Sequence, residues 1–299
     1  TKWQQIESKQ EVTNMTNEHG KPLIEILADQ ENDGLILEQS PEPVNVFSFG
    51  GGVQSMACLV LAAQKKIDAS LFLFANTGDD AENPGTLKYL KEYAIPYAEK
   101  HGIELREIQK TDKQGNKVSL YQKLMSKPTS GNLPFYLSGN GMPSRRRCTM
   151  DFKIDVVRKE IKTLKQASTK VSMGISTDEF HRAKDSPVKE IEHQYPLLDK
   201  KISRFECGNI IRDAGLPVPP KSACFFCPYK RLEDWRTMAK DEPELFERAC
   251  DLEKRISEAR SDEQGPVYFT RLLKPLKEAI KPSEQLSLFD DDCSGFCMT

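Results

Sequence analysis

The stretch "VNVFSFGGGVQSMACLVLAAQ", Val44 to Gln64, decides the fold. A β-type run enters three consecutive glycines, Gly50, Gly51 and Gly52, reaches Ser55, and leaves as an alanine- and leucine-rich helical pattern. Glycines at a strand-to-helix junction let backbone N–H groups approach an anion closely, and the helix N-terminus adds positive dipole. The stretch therefore reads as a phosphate loop, with a tight turn before a helix as the plainer alternative. No lysine precedes Ser55, as G-x-x-x-x-G-K-[ST] requires, and Ser55 stands where G-x-G-x-x-G has its last glycine.

Outward from this loop, strand-like and helical patterns alternate. "SLFLFANT" precedes a helix from Pro84, and "IELREI" precedes "VSLYQKLM". After the helical "DFKIDVVRKEIKTL", the run "KVSMGIS" reads as a fourth strand. The alternation predicts an α/β fold, a doubly wound and mainly parallel sheet with helices on both faces. In that architecture ligands bind beyond the carboxyl ends of the strands, which puts Gly50–Ser55 and Asn76–Glu82 on one rim. Pro96 predicts a kink or two shorter helices after Pro84.

Domain organisation follows composition. Residues 1–43 are a polar extension, partly helical or loosely ordered, and the nucleotide-binding α/β domain spans 44–195. A smaller helical subdomain bearing a cysteine cluster covers 196–285, and 286–299 is a flexible tail. "KPTSGNLPFYLSGNGMPS", from Lys127 to Ser144, is dense in Gly, Pro, Ser and Asn and reads as a lid or binding loop.

The 299 residues can bury a proper core, and 38% hydrophobic with 29% charged residues is ordinary for a soluble globular protein. No apolar run approaches the ~18 residues that span a bilayer and no signal peptide is visible, so a cytoplasmic protein without membrane contact is expected. A chain opening on Thr1 implies a removed initiator methionine or a trimmed end. The net charge of −2 is unlike a dedicated DNA-binding domain, so nucleic-acid contact must be a local patch or come through a partner.

Eight cysteines in such a chain favour metal or thiol chemistry over disulfides. Cys58 and Cys250 sit on helical patterns among apolar residues and read as small buried hydrophobes. Cys224 and Cys227 form a C-x-x-C pair, and Cys148 and Cys207, both in loop-like contexts, would complete a set of four. Three readings stand: a [4Fe–4S] cluster, zinc, or a redox-active dithiol. Cys293 and Cys297 in "DDDCSGFCMT" are either incidental thiols or a mobile sulfur relay. Arg145, Arg146, Arg147 and Lys153 in "PSRRRCTMDFK" read as a phosphate or nucleic-acid contact, against the plain reading of a solvated charge run. His101, His181 and His193 lack metal spacing.

Five stretches in order carry a family resemblance from about Val44 to Tyr229. The glycine loop resembles the PP-loop of ATP pyrophosphatases, Ser-Gly-Gly-x-Asp-Ser, with Gly51, Gly52 and Ser55 matching, Gly50 in place of the first serine and Gln54 in place of the aspartate. "FANTGDDAENPGTLKYL" resembles the second-strand segment of phosphoadenylylsulfate (PAPS) reductase-like proteins. "GISTDEFHRA" resembles their Gly-x-Arg-x-(Asp/Glu)-Glu-Ser-x-x-Arg segment, with Gly174, Asp178 and Glu179 in place and Arg182 one position short of the last arginine. "YPLLDKKISRFECGNIIRDAGLPVPP" and "CFFCP" resemble the segments that follow.

The resemblance implies an adenine nucleotide alpha hydrolase-like fold closest to the DNA phosphorothioation ATP pyrophosphatase. ATP would lie against Ser48, Gly50, Gly51, Gly52, Gln54, Ser55, Asn76, Thr77 and Gly174. Ser55, Asp79, Asp80, Asp178 and Arg182 would serve catalysis, with Mg²⁺ on the aspartates. Cys148, Cys207, Cys224 and Cys227 would hold the [4Fe–4S] cluster, zinc being the alternative metal. The implied activity is a sulfurtransferase-type ATP pyrophosphatase that adenylates an acceptor for sulfur insertion, with a DNA backbone phosphate as acceptor and a cysteine desulfurase as sulfur donor. The alternatives are a PAPS or adenylylsulfate reductase, a tRNA thiolation enzyme, and a non-catalytic nucleotide- and cluster-binding sensor subunit.

Overall fold

The run Leu71–Asn76 is apolar nearly to its end because both of its faces are covered. The computed structural model describes residues 44–128, 133–137, 146–164, 168–260 and 265–281. In it β2 (Leu71–Asn76) is buried at every position, between β1 (Val44–Ser48) and β3 (Glu104–Gln109). The five-stranded sheet has the order β3-β2-β1-β5-β6, with β5 at Thr169–Met173 and β6 at Ile191–Gln194, and every pairing is parallel. Interior parallel strands lose their alternating pattern because neither face meets water. The edge strands are polar instead: β3 carries Glu104 and Arg106, which pair at 2.6 Å, and β6 carries Glu192 and His193.

Alternation along β1 and β2 sends side chains to two layers. Phe47, Phe72 and Phe74 face α1 (Val53–Ala63), with the Phe47 and Phe72 rings stacked at 4.7 Å between centroids. Val46, Leu71 and Leu73 face α2 (Asp155–Thr163), whose Val156, Val157 and Ile161 close the opposite layer. This is the doubly wound arrangement. After Pro84 the chain forms two short helices, Pro84–Tyr89 and Ile95–Lys100, joined by a π-helical turn at Leu90–Ala94. Pro96 has no N–H for a regular i→i−4 bond, and the wider turn absorbs the loss.

From β1 the chain steps to β2 and β3 on one side and to β5 and β6 on the other. The strand order therefore reverses between β1 and β5. The loops leaving these two strands begin at Phe49 and Gly174, so the glycine loop and the "GISTDEF" segment flank the crevice at the switch point.

The C-terminal elements pack onto the rim. Helix α3 (Arg204–Asp213) lies on α1, while α4 (Leu232–Asp241) and α5 (Pro243–Arg260) share a third cluster with Leu120, Leu124 and Phe152. The two-residue strands β4 (Tyr136–Leu137) and β7 (Val267–Tyr268) pair antiparallel. Among the described residues no helix is long and apolar enough to cross a membrane. The extension 1–43, the tail 286–299 with Cys293 and Cys297, Arg145, and positions 129–132 and 138–144 of the glycine-rich loop lie outside the described residues.

One buried carboxylate secures the end of this arrangement. Glu253 on α5 is 4% exposed; its Oε1 accepts from the Phe269 N–H and its Oε2 from the Leu276 N–H, both at 2.6 Å. Burial pushes its pKa up to about 7, although the two amide bonds oppose the shift. A carboxyl whose folded pKa exceeds its unfolded value binds a proton on folding, so its contribution declines as pH rises from about 4.5 to about 7. Glu253→Gln does not titrate. The stability difference between wild type and this variant is expected to fall by on the order of 3 kcal/mol across that window, followed by chemical denaturation at stepped pH. A pH-independent difference would contradict the assignment.

Candidate nucleotide-binding and thiol site

The glycine loop is shaped by contacts that only glycine permits. Gly51 has φ +74°, and a Cβ on it would lie 3.0 Å from Thr86 Cγ2 and 3.1 Å from the Phe74 ring. Gly52 precedes α1 as its N-cap. Ser55, 6% exposed, turns back on the loop: its Oγ accepts from the Gly52 N–H at 3.1 Å and donates to the Gly52 carbonyl at 2.9 Å. The Ser222 hydroxyl, brought from 172 residues away, donates to the Gly50 carbonyl at 2.6 Å. Ser48 ends β1 opposite Met173 in the sheet register.

The end of β5 is packed against the same turn. A Cβ on Gly174 would stand 3.1 Å from both the Gln54 carbonyl carbon and the Ser55 nitrogen. Gln54, 8% exposed, is bonded at both ends of its amide. Its Oε1 accepts from Arg204 Nη1 at 3.0 Å, and its Nε2 donates to Glu179 Oε2 at 3.2 Å. Arg182 also pairs with Glu179. Asp178 accepts from the Arg204 N–H at 2.6 Å, and chiefly through that bond its carboxyl is held below the usual range. Gln54, Gly174, Glu179 and Arg182 thus meet at the switch point, joined by Arg204, which the sequence reading did not single out.

The loop after β2 carries its own network. Asn76, fully buried, donates through Nδ2 to Asp79 Oδ1 and to Glu107 Oε1, each at 2.8 Å, and accepts from the Gly78 N–H. Asp80 accepts from the Ser119 hydroxyl. Thr77 donates to Glu82 Oε1 at 3.0 Å and lies 3.4 Å from Cys224 Sγ. Backbone bonds from Phe225 N to Ala81 O at 3.0 Å and from Asn83 N to Ala223 O at 3.1 Å pin the C-x-x-C loop to this segment.

The cysteines divide between two cores. Cys148 and Cys224 pack against the third cluster, Cys227 follows Cys224 by one turn, and Cys148 and Cys227 both act on the Tyr229 phenol. Burial holds the Cys224 thiol well above its usual range, with Lys153 and Thr77 acting in the opposite sense. The loop-like context expected of Cys207 is corrected. It lies on helix α3 rather than in a loop, and it is fully buried in the first core beside Cys58, with its thiol pushed up to about 12 by burial. An apolar position on α3 facing α1 explains it. Among the described residues no three Cys, His, Asp or Glu side chains are placed to hold one metal ion.

The basic run is divided by the fold. Arg147 is exposed, and the Arg146 guanidinium lies 5.5 Å from the Tyr229 ring centre. Lys153 turns inward to Glu82, at 3.2 Å. Burial lowers the Lys153 pKa, but attraction to Glu82 and Cys224 outweighs it and the net shift is upward. Glu82 is 1% exposed and its Oε2 has no hydrogen-bond partner among the described residues.

No protein-family model matches the chain, and no curated protein matches it. Among solved structures the chain is similar to the U34-tRNA thiolase NcsA from Methanococcus maripaludis with its [4Fe-4S] cluster. The two are 16% identical, with 80% of this chain and 82% of that chain covered and a TM-score of 0.38.

The glycine packing is testable on its own. Gly174→Ala forces a methyl group against the first turn of α1, where both contacts are backbone atoms. The variant is expected to lose about 1–3 kcal/mol of stability by chemical denaturation. Unchanged stability would mean that the turn can move away from β5.

Proposed function

We propose that this chain is a PP-loop-type ATP pyrophosphatase that adenylates an acceptor for sulfur insertion. The observation carrying the reading is the glycine loop at the β1/β5 switch point, with Ser55 folded back on Gly52 and Gly174 against the first turn of α1. Backbone N–H groups at the head of α1 and its dipole suit a departing pyrophosphate. An acceptor oxygen attacks the α-phosphorus, the α–β bridging bond breaks, and pyrophosphate leaves an adenylated acceptor. The terminal sulfur of a persulfide then displaces AMP, and a second thiol cleaves the S–S bond to leave a disulfide.

Asp79, Asp80 or Asp178 is the carboxylate proposed for Mg²⁺, which would neutralise charge on the phosphates. Cys148, Cys224 and Cys227 are the ligands proposed for an iron–sulfur cluster. The fit is one of ligand type: cysteine thiolates hold such clusters, and Cys224 and Cys227 stand at C-x-x-C spacing. The cluster would supply sulfur-handling chemistry next to the nucleotide, since the C-x-x-C loop is hydrogen-bonded to the loop after β2. The proposed acceptor is a DNA backbone phosphate, reached through Arg146 and Arg147, with a cysteine desulfurase as donor.

Anaerobically purified protein is to be incubated with ATP and Mg²⁺ in the presence of DNA, of tRNA, or of neither, and pyrophosphate measured. Acceptor-dependent pyrophosphate release, abolished by Ser55→Ala, is the expected result. DNA dependence supports the backbone acceptor, tRNA dependence moves the acceptor to a base, and no release in any arm defeats the reading. A second series measures iron and visible absorbance. Cys148→Ala, Cys224→Ala and Cys227→Ala are each expected to lose most of the iron, whereas Cys207→Ala keeps it. A colourless wild type with one zinc per chain would replace the cluster by zinc.

A further inference from the structure

The Gln54 amide is the junction of the polar network at the switch point. Arg204 donates to its oxygen at 3.0 Å and its nitrogen donates to Glu179 at 3.2 Å, while Arg182 holds the same Glu179 oxygen. The result is one chain, Arg204 to Gln54 to Glu179 to Arg182, anchored on the turn that follows the glycine loop. Gly174, lacking a Cβ, leaves room for that turn against the end of β5.

A carboxamide can accept from a guanidinium through its oxygen and donate to a carboxylate through its nitrogen at the same time. A glutamate at 54 could accept from Arg204 but would face Glu179 as a like charge, and a leucine would satisfy neither partner. The glutamine is thus fitted to its two partners. Arg204 belongs to α3, is exposed, and gives one guanidinium nitrogen to Gln54 while Asp178 receives its backbone N–H. A guanidinium carries five N–H donors in a rigid fork suited to phosphate oxygens. Held at one corner, it keeps the remainder for an anion beside the glycine loop.

We propose that Arg204 is a phosphate-binding residue for the triphosphate of the nucleotide, and that Gln54 is a positioning residue that presents it. This rests on the nucleotide reading given above, and it adds to the site a residue from α3 that the glycine loop does not contain. Glu179 acts through Gln54 by accepting the amide N–H hydrogen bond and so fixing which end of the amide faces Arg204.

The test is calorimetric binding of α,β-methylene-ATP with Mg²⁺, whose α–β linkage cannot be cleaved, to the full chain. Arg204→Ala and Gln54→Glu are each expected to weaken binding about tenfold or more, as befits loss of a hydrogen bond to a charged group. Combining Gln54→Glu with Glu179→Gln restores a donor opposite an acceptor and is expected to recover most of the affinity. A purely structural role for Gln54 would not predict that rescue, and thermal unfolding midpoints identify any variant weakened by misfolding. Wild-type affinity in both Arg204→Ala and Arg204→Lys, which alters the fork but keeps the charge, overturns the proposal. Failure of the double variant, folded as the wild type, overturns the positioning role. A wild type that binds no analogue defeats the nucleotide reading itself and this inference with it.

Discussion

The Ser222 hydroxyl on the Gly50 carbonyl, with Ala223 and Phe225 bonded to Asn83 and Ala81, is the constraint on which the site depends. Four residues from the C-terminal third are fixed to two loops on the rim of the sheet. On one side the contact sets the carbonyl ahead of the positive-φ glycine, Gly51, and so the path of the loop into α1. On the other it places Cys224 against Thr77 and beside Glu82. Glycine loop, β2 loop and cysteine loop are thereby one hydrogen-bonded unit, and a displacement of any one of them is felt by the others.

A half-buried ion pair lies at the centre of that unit. Glu82 and Lys153 come from the β2 loop and from the segment leading into α2, and they meet beside the half-buried Cys224 thiol. Removing ions from water costs several kcal/mol each, so such a pair is poor evidence of stability in itself. What it provides is position: the lysine can reach its carboxylate only when the two segments are correctly docked. The pair also explains why the basic run around Cys148 does not behave as one patch. Arg147 is at the surface and Arg146 lies over Tyr229, while Lys153 is committed to the interior.

Much of the architecture was legible in residue pattern. "SLFLFAN" lacks alternation because it is covered on both faces, and Pro96 marks the widened turn because it has no N–H to donate. Gly174 was recognisable as a motif glycine, although its physical role, leaving room for the Gln54–Ser55 backbone, required coordinates. Cys207, read in a loop-like context, lies instead on α3 within the first core. Its fate depends on which face of α3 meets α1. Arg204 and Ser222 carried no signal at all, since their partners lie 150 and 172 residues away in the chain.

By itself the sequence determined the chain order of four of the five main-sheet strands, the glycine loop at the first strand-to-helix junction, and the spacing of the C-x-x-C pair. These are local properties, governed by hydrophobic period, backbone freedom and neighbouring residue types. Only the tertiary structure decided which polar groups meet: Gln54 with Arg204 and Glu179, Glu82 with Lys153, and Cys224 rather than Cys207 beside the β2 loop. The physical reason is that a buried donor or acceptor must find its partner somewhere. Where that partner lies is set by how the layers pack on the sheet, which is not written in the spacing along the chain.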